Sequence, residues 1–192
     1  PFFNYSGAFT ESEDQFIELI RDIVRRGAFI QQKDLADFES HIAKYLGVKH
    51  VIGVGNATDG LIMAWRAAGL RPGDEVIFPS HTMVASPASV AHAGGVPVPV
   101  DCGADHLIDP SAIERAITPK TRAIMPVQLN GRTADMDAIQ KVATNHGLFI
   151  LEDAAQALGS KFRNRFAGTF GVAAAFSFYP AKILGCFGDG GA

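Results

Sequence analysis

One pattern constrains this chain above all others: an alternation of strand-length and helix-length segments between His50 and Leu151. Strand character recurs at 50–54, 75–78, 96–100, 123–127 and 148–151, and Leu148-Phe-Ile-Leu151 reads as a buried strand. Between these runs lie helical patterns at 58–68, 82–93, 110–117 and 135–146. Strands and helices taking turns at this spacing form right-handed βαβ units. Such units line their strands up in a mostly parallel sheet with helices on both faces. The expected class is therefore α/β, a three-layer α/β/α arrangement. Towards the end the rhythm changes to short strand-like pieces at 159–162 and 173–178.

Two helices precede the alternation. Residues 11–27 carry Phe16, Leu19, Ile20, Ile23 and Val24 on one face, with acids leading, arginines trailing and Gly27 as the stop. Residues 33–46 carry a stripe of Leu35, Phe38, Ile42, Tyr45 and Leu46, closed by Gly47. The expected organisation is an N-terminal helical segment, 1–47, packed outside the sheet domain or on a partner, followed by an α/β domain over 48–192. The chain starts without Met and stops at Gly191-Ala192 inside what reads as a strand or turn, so the expectation is a part of a longer protein with an incomplete α/β domain.

Charge and composition narrow the function classes. A net charge of −3 over 192 residues gives no basic excess of the sort that nucleic acid or an anionic membrane attracts. No apolar run is long enough to span a bilayer, and Pro1-Phe-Phe-Asn-Tyr5 lacks the basic start of a secretory signal. Two cysteines, Cys102 and Cys186, are too few for a disulfide framework and have no metal-ligand spacing. A reducing compartment, the cytoplasm, fits that usage.

In an open α/β sheet, ligands bind beyond the carboxyl ends of the strands, so the residues following each strand carry the chemistry. After the first, Gly53-Val-Gly-Asn-Ala-Thr-Asp-Gly60 enters a helix, a place where free N–H groups and the helix dipole welcome an anion such as a phosphate. Thr58 serves equally as a plain N-cap. After the second comes His81, either a base or a structural hydrogen-bonding residue. After 148–151 come Glu152 and Asp153, costly unless paired and pointing to opposite sides, so that at most one faces a ligand. Finally, Phe176-Ser-Phe-Tyr-Pro-Ala-Lys182 presents a hydroxyl, Ser177, and an amine, Lys182, five residues apart. Apolar neighbours lower a lysine's pKa and free its amine to attack carbonyls, although a lysine that simply snorkels to water fits the same stretch. An anion seat, a carboxylate and a lysine in this order are what pyridoxal phosphate needs: a phosphate site, an acid for the pyridine nitrogen and an amine for a Schiff base.

From about Gly27 onward the sequence resembles the DegT-type (StrS/DnrJ-like) nucleotide-sugar aminotransferases, within the aspartate-aminotransferase fold group. The resemblance lies in Tyr45-Leu-Gly-Val-Lys-His50, Gly55-Asn-Ala-Thr-Asp59, Pro72-Gly-Asp-Glu-Val-Ile77, Glu152-Asp-Ala-Ala-Gln-Ala157, Phe176-Ser-Phe-Tyr-Pro-Ala-Lys182 and Gly188-Asp-Gly-Gly191. It implies pyridoxal 5'-phosphate held as an aldimine on Lys182, with Asp153 on the pyridinium nitrogen. Gln156 would lie beside the ring, Met83 on its face where the family usually has an aromatic residue, and Ser177 with the Ala57–Thr58 helix start around the phosphate. It further implies L-glutamate as amino donor, a keto group at C3 or C4 of a nucleotide-linked hexose as acceptor, Lys182 as the proton shuttle, and a homodimer whose partner lends residues to the site. Gln128 stands where the family often has histidine, and Gln32 where it has glycine; both departures bear on sugar choice. The family's chains are longer, so a small C-terminal domain is missing here. The other readings are a silent homologue that regulates or scaffolds, and a lyase of the same cofactor class.

Overall fold

The computed structural model describes residues 3–192, which leaves the first two residues of the expected N-terminal segment outside it. The chain forms two compact units, residues 1–53 and 54–192, so the boundary falls six residues beyond the expected 47.

The first unit is helical. A short helix not expected from the sequence, α1 (Tyr5–Thr10), is capped by Asn4, whose side chain accepts from the Gly7 N–H. Helix α2 (Glu13–Arg26) ends in a left-handed Gly27, and α3 (Lys33–Leu46) ends the same way at Gly47. Of the expected stripe on α3, Ile42 and Leu46 are buried while Tyr45 is exposed. None of the apolar face of α2 is buried: Leu19, Ile20 and Val24 all stand in solvent.

The second unit contains α4 (Ala57–Ala67), β1 (Glu75–Pro79), α5 (Ala85–His92), β2 (Val96–Val100), α6 (Pro110–Ala116), β3 (Thr121–Ile124), α7 (Met136–His146) and β4 (Phe149–Asp153). A two-strand hairpin, β5 (Lys161–Phe162) with β6 (Arg165–Phe166), and β7 (Ala173–Ala175) complete it. The main sheet runs β2-β1-β3-β4-β7, and every pairing in it is parallel. Alternate residues of the central strands supply two separate cores. Ile77, Ile124 and Ile150 pack with α6 and α7, through Ile113, Met136 and Ile139. Val76, Phe78, Ala123, Met125 and Leu151 pack with α4 and α5, through Leu61, Trp65 and Val90. A period-two strand buried on both faces explains the continuous apolar runs. The outer strand β2 reads Val-Pro-Val-Pro-Val, and its valines register on β1 through Val96 and Val98. Pro97 and Pro99 have no N–H, so the exposed edge offers a second sheet few donors.

The expected strand at 50–54 does not form. Val54 alone pairs, in a single antiparallel bridge to Gly191, and the Gly53 N–H is taken by the Glu39 carboxylate at 2.8 Å. A backbone donor bound by a side chain cannot join a ladder. Helix α5 also starts three residues later than the sequence pattern indicates, because Thr82 and Met83 belong to the loop after β1.

Candidate active site

Because the sheet is parallel, the carboxyl ends of β1, β3, β4 and β7 open on the same side of it. Asp153 is the last residue of β4 and only 4% exposed. Its Oδ2 accepts from the Ser86 hydroxyl at 2.7 Å, and its Oδ1 accepts from the Ala155 N–H at 3.1 Å. Burial pushes the Asp153 carboxyl above the usual carboxylate range, against the opposing pull of Ser86, the Ala155 amide and the charge of Lys182.

Glu152 faces the other way, as the strand period requires. It is fully buried and accepts from Gln128 Nε2 (2.9 Å) and from the backbone N–H groups of Gly168 (2.8 Å), Phe170 (2.6 Å) and Gly171 (3.1 Å). Its work is to hold the loop that leads into β7. Gln128, fully buried beside it, also accepts from the Ala134 N–H at 2.8 Å. The expectation that Gln128 bears on sugar choice is therefore corrected: it touches Glu152 and the start of α7, and it has no surface to offer a sugar. Replacing Glu152 by alanine leaves four donors unanswered, so thermal and urea unfolding should report a loss of about 3 kcal/mol or more.

A second cluster gathers at the start of α4. Asn56 caps the helix, its Oδ1 accepting from the Asp59 N–H at 2.9 Å. The helix's own ladder leaves the Ala57 and Thr58 N–H groups free to meet an anion. Residues 190–192 lie between this start and residues 176–178. Gly191 exchanges hydrogen bonds with Val54 (2.9 and 3.0 Å), Ala192 exchanges them with Phe176 (2.7 and 3.1 Å), and Phe178 donates to Gly190 (2.8 Å). A Cβ on Gly191 would lie 2.5 Å from the Asn56 carbonyl carbon and 2.7 Å from the Ala57 nitrogen, so only glycine allows this approach. Ser177, paired across from Gly191, and the Ala57–Thr58 helix start are thereby tied together through one glycine.

Lys182 lies in the loop that joins the two sides of this ladder. Its N–H closes a turn onto the Tyr179 carbonyl at 2.8 Å, with Pro180 at the second position, where its fixed φ is favourable. Lys182 is half-buried. The desolvation expected from its sequence neighbours is not supplied by them, because Ile183 and Leu184 are 78% and 48% exposed. Met83 is exposed in the loop after β1, where its carbonyl accepts from the Ser86 N–H. Gln156 leans towards the turn after β3, its Oε1 accepting from the Asn130 N–H at 3.1 Å, which leaves its amide nitrogen as the available donor. His81 sits edge-on to His106, ring centroids 5.6 Å apart, in the exposed loops beyond β1 and β2.

The sequence reading missed Ser86 and Thr82. Thr82 Oγ1 lies 2.6 Å from Ser86 Oγ, which in turn reaches Asp153. The available signal was a pair of serines, Ser86 and Ser89, inside an otherwise apolar helix pattern.

The arrangement suits pyridoxal phosphate on observations of this chain alone: a buried carboxylate with no hydrogen-bonded cation among the described residues, two helix amides outside the helix's own ladder, and a glycine where a Cβ would fill the cradle. Comparison with known proteins agrees. The chain is 47% identical, over its whole length and 51% of the relative's, to a dTDP-3-amino-3,4,6-trideoxy-alpha-D-glucose transaminase of Streptomyces venezuelae. It superposes on the crystal structure of S. venezuelae DesV in complex with a ketimine intermediate with a TM-score of 0.94 and 45% identity, covering 100% of this chain and 52% of that one. NtdA of Bacillus subtilis, solved with its cofactor PMP bound, superposes with a TM-score of 0.87 and 34% identity over 94% of this chain and 41% of its own. The chain thus spans about half the length of these relatives. With residues 10–192 matching its profile, this α/β unit and the helices before it belong to the DegT/DnrJ/EryC1/StrS aminotransferase family, whose members depend on pyridoxal phosphate.

Proposed function

We propose that this chain forms the cofactor-binding part of a transaminase. The enzyme moves the amino group of L-glutamate onto a keto group, at C3 or C4, of a nucleotide-linked hexose in amino-sugar biosynthesis. The observation that carries the reading is Asp153, a buried carboxylate held by Ser86 and the Ala155 amide at the carboxyl end of a strand in a parallel sheet. The similarity to a dTDP-amino-sugar transaminase supports the substrate class.

When bound, pyridoxal phosphate supplies an electron sink for charge that develops at the amino-bearing carbon. In this assignment Asp153 keeps the ring nitrogen protonated, and Lys182 holds the cofactor through its amine and moves the proton. The Ala57 and Thr58 amides and the Ser177 hydroxyl take the phosphate. Gln156 would offer its remaining amide donor to the ring, and Met83 would supply an apolar thioether beside it, which adapts without specifying one geometry.

A second copy of the chain completes the assembly in this reading. Apolar residues exposed on α2 (Leu19, Ile20, Val24) and around Lys182 (Ile183, Leu184, Phe187) support a homodimer. The cytoplasm, where the unpaired Cys102 and Cys186 stay reduced, is the proposed compartment. The test is an assay of the full-length protein with pyridoxal phosphate, L-glutamate and a panel of 3-keto and 4-keto nucleotide-sugars. One pairing should yield 2-oxoglutarate and an amino-sugar. Protein that gains no visible band with added cofactor, and no product with any keto-sugar, sinks the reading.

A further inference from the structure

Asp153 is held by more than the strand it ends. Its Oδ1 is bound by the Ala155 N–H, two residues along, while its Oδ2 is bound by Ser86 from α5. One donor would leave the carboxylate free to turn about its last bond. Two donors, on different oxygens and from different elements, fix its plane and leave defined lone pairs for a third partner.

The hydroxyls around it have a single consistent order. An ionised carboxylate only accepts, so the Ser86 hydroxyl must donate to Asp153. Its one proton is then used, so the Thr82 hydroxyl donates to Ser86 across their 2.6 Å contact. The serine itself is fixed from behind. The Ser89 hydroxyl donates to the Ser86 carbonyl at 2.7 Å, and Trp65 Nε1 of α4 donates to Ser89 at 3.1 Å. Ser86 and Ser89 are both wholly buried in the apolar layer between α4, α5 and the sheet. Alanine would pack there without desolvating a hydroxyl, so the polar thread costs stability unless each bond is made.

We infer that Ser86, backed by Thr82, is the positioning residue for Asp153, holding its carboxylate in the one orientation that meets the cofactor's ring nitrogen. The inference rests on the proposed role of Asp153. It adds that the geometry of that acid is set by the hydroxyls of Ser86 in α5 and Thr82 in the loop before it.

The test uses the full-length protein in two states. In the cofactor-free protein, the carboxyl carbon resonance of Asp153 is assigned by its disappearance in Asp153→Asn, and Ser86→Ala should displace it. In absorbance titrations with pyridoxal phosphate, Ser86→Ala should bind about 10-fold more weakly, the worth of one buried hydrogen bond to a charged group. Ser86→Thr, which keeps the hydroxyl, should restore both readings. Thr82→Val removes only the outer link and should weaken binding by about 3-fold, and it keeps the question answerable if Ser86→Ala does not fold. Wild-type resonance and affinity in Ser86→Ala or Thr82→Val, alongside weakened binding in Asp153→Asn, overturn the inference and leave the cofactor site standing. Undiminished binding in Asp153→Asn overturns the site itself, and the inference with it.

Discussion

Replacing Lys182 by alanine is expected to abolish the visible band of the cofactor-loaded protein and to lower transamination by a factor on the order of 10³ or more. Without an amine at this position, pyridoxal phosphate is held only by its ring and phosphate contacts and leaves during dialysis. The proton transfer assigned to Lys182 is lost as well. The fold should not notice. The turn at 179–182 uses the Lys182 N–H and the ring of Pro180, both kept in the variant, and the side chain is only half-buried. Thermal unfolding of the cofactor-free protein should therefore stay within about 0.5 kcal/mol of wild type. Borohydride reduction followed by peptide mapping gives the direct readout. Wild type should carry the reduced cofactor on Lys182, and the variant should carry none. A variant that still traps cofactor by reduction would place the covalent link elsewhere and end this assignment.

Asp153→Asn should separate stability from binding. Burial is the dominant influence on Asp153 and holds its carboxyl above the usual carboxylate range. The sign follows from proton linkage. As pH rises from the ordinary carboxylate value towards the raised one, the unfolded chain has released its proton while the folded chain keeps it, so stability falls through that window. The cofactor-free wild type should thus be most stable, as far as this group is concerned, below the ordinary carboxylate value. Asparagine keeps an acceptor for the Ala155 or Ser86 donor and carries no charge. At neutral pH it should raise the stability of the cofactor-free chain by about 1–2 kcal/mol and flatten this part of the pH profile. Binding should move in the opposite direction. A protonated ring nitrogen places a positive charge beside Asp153, draws its pKa back down and favours the ionised form; asparagine has no such response. Cofactor affinity should drop by about 10-fold or more. Denaturation curves from pH 4 to 8, with and without pyridoxal phosphate, measure both effects. An Asp153→Asn chain that is less stable when free of cofactor would refute the burial argument.

Local patterns in the sequence reach as far as local physics does. The apolar runs of β1, β3 and β4 announce strands buried on both faces, and the two cores of the sheet are those runs read at period two. The same period separates Glu152 from Asp153, and the structure sends one towards α7 and the other towards α5. Failures occur where a distant partner decides the outcome. Residues 50–53 have strand character, but the Glu39 carboxylate occupies the Gly53 donor, fourteen positions away in sequence. Gln128 looks like a polar group at a strand end, open to substrate; its burial depends on Glu152 and Ala134, which no spacing rule connects to it. The apolar neighbours of Lys182 suggest desolvation, yet Ile183 points to solvent because Gly185 folds back against Pro180, where a Cβ would meet the Pro180 carbonyl oxygen at 2.5 Å. Ser86 was passed over because a hydroxyl in a helix pattern is ordinarily a surface residue, and only the meeting of α5 with β4 gives it a carboxylate to hold.

The bridge between Val54 and Gly191 has a consequence for the order in which the protein assembles. It joins the two extremes of the α/β unit, so the chain between them forms one long loop whose closure is entropically unfavourable until the sheet has shortened the distance. Strands and helices can condense as they leave the ribosome, N-terminal elements first. The seat around Ala57, Thr58 and Ser177 cannot, because its keystone glycine follows every strand of the sheet in the chain. A cofactor that binds this seat selects chains in which this α/β unit has closed, and pyridoxal phosphate becomes a ligand of the folded unit and not of its precursors.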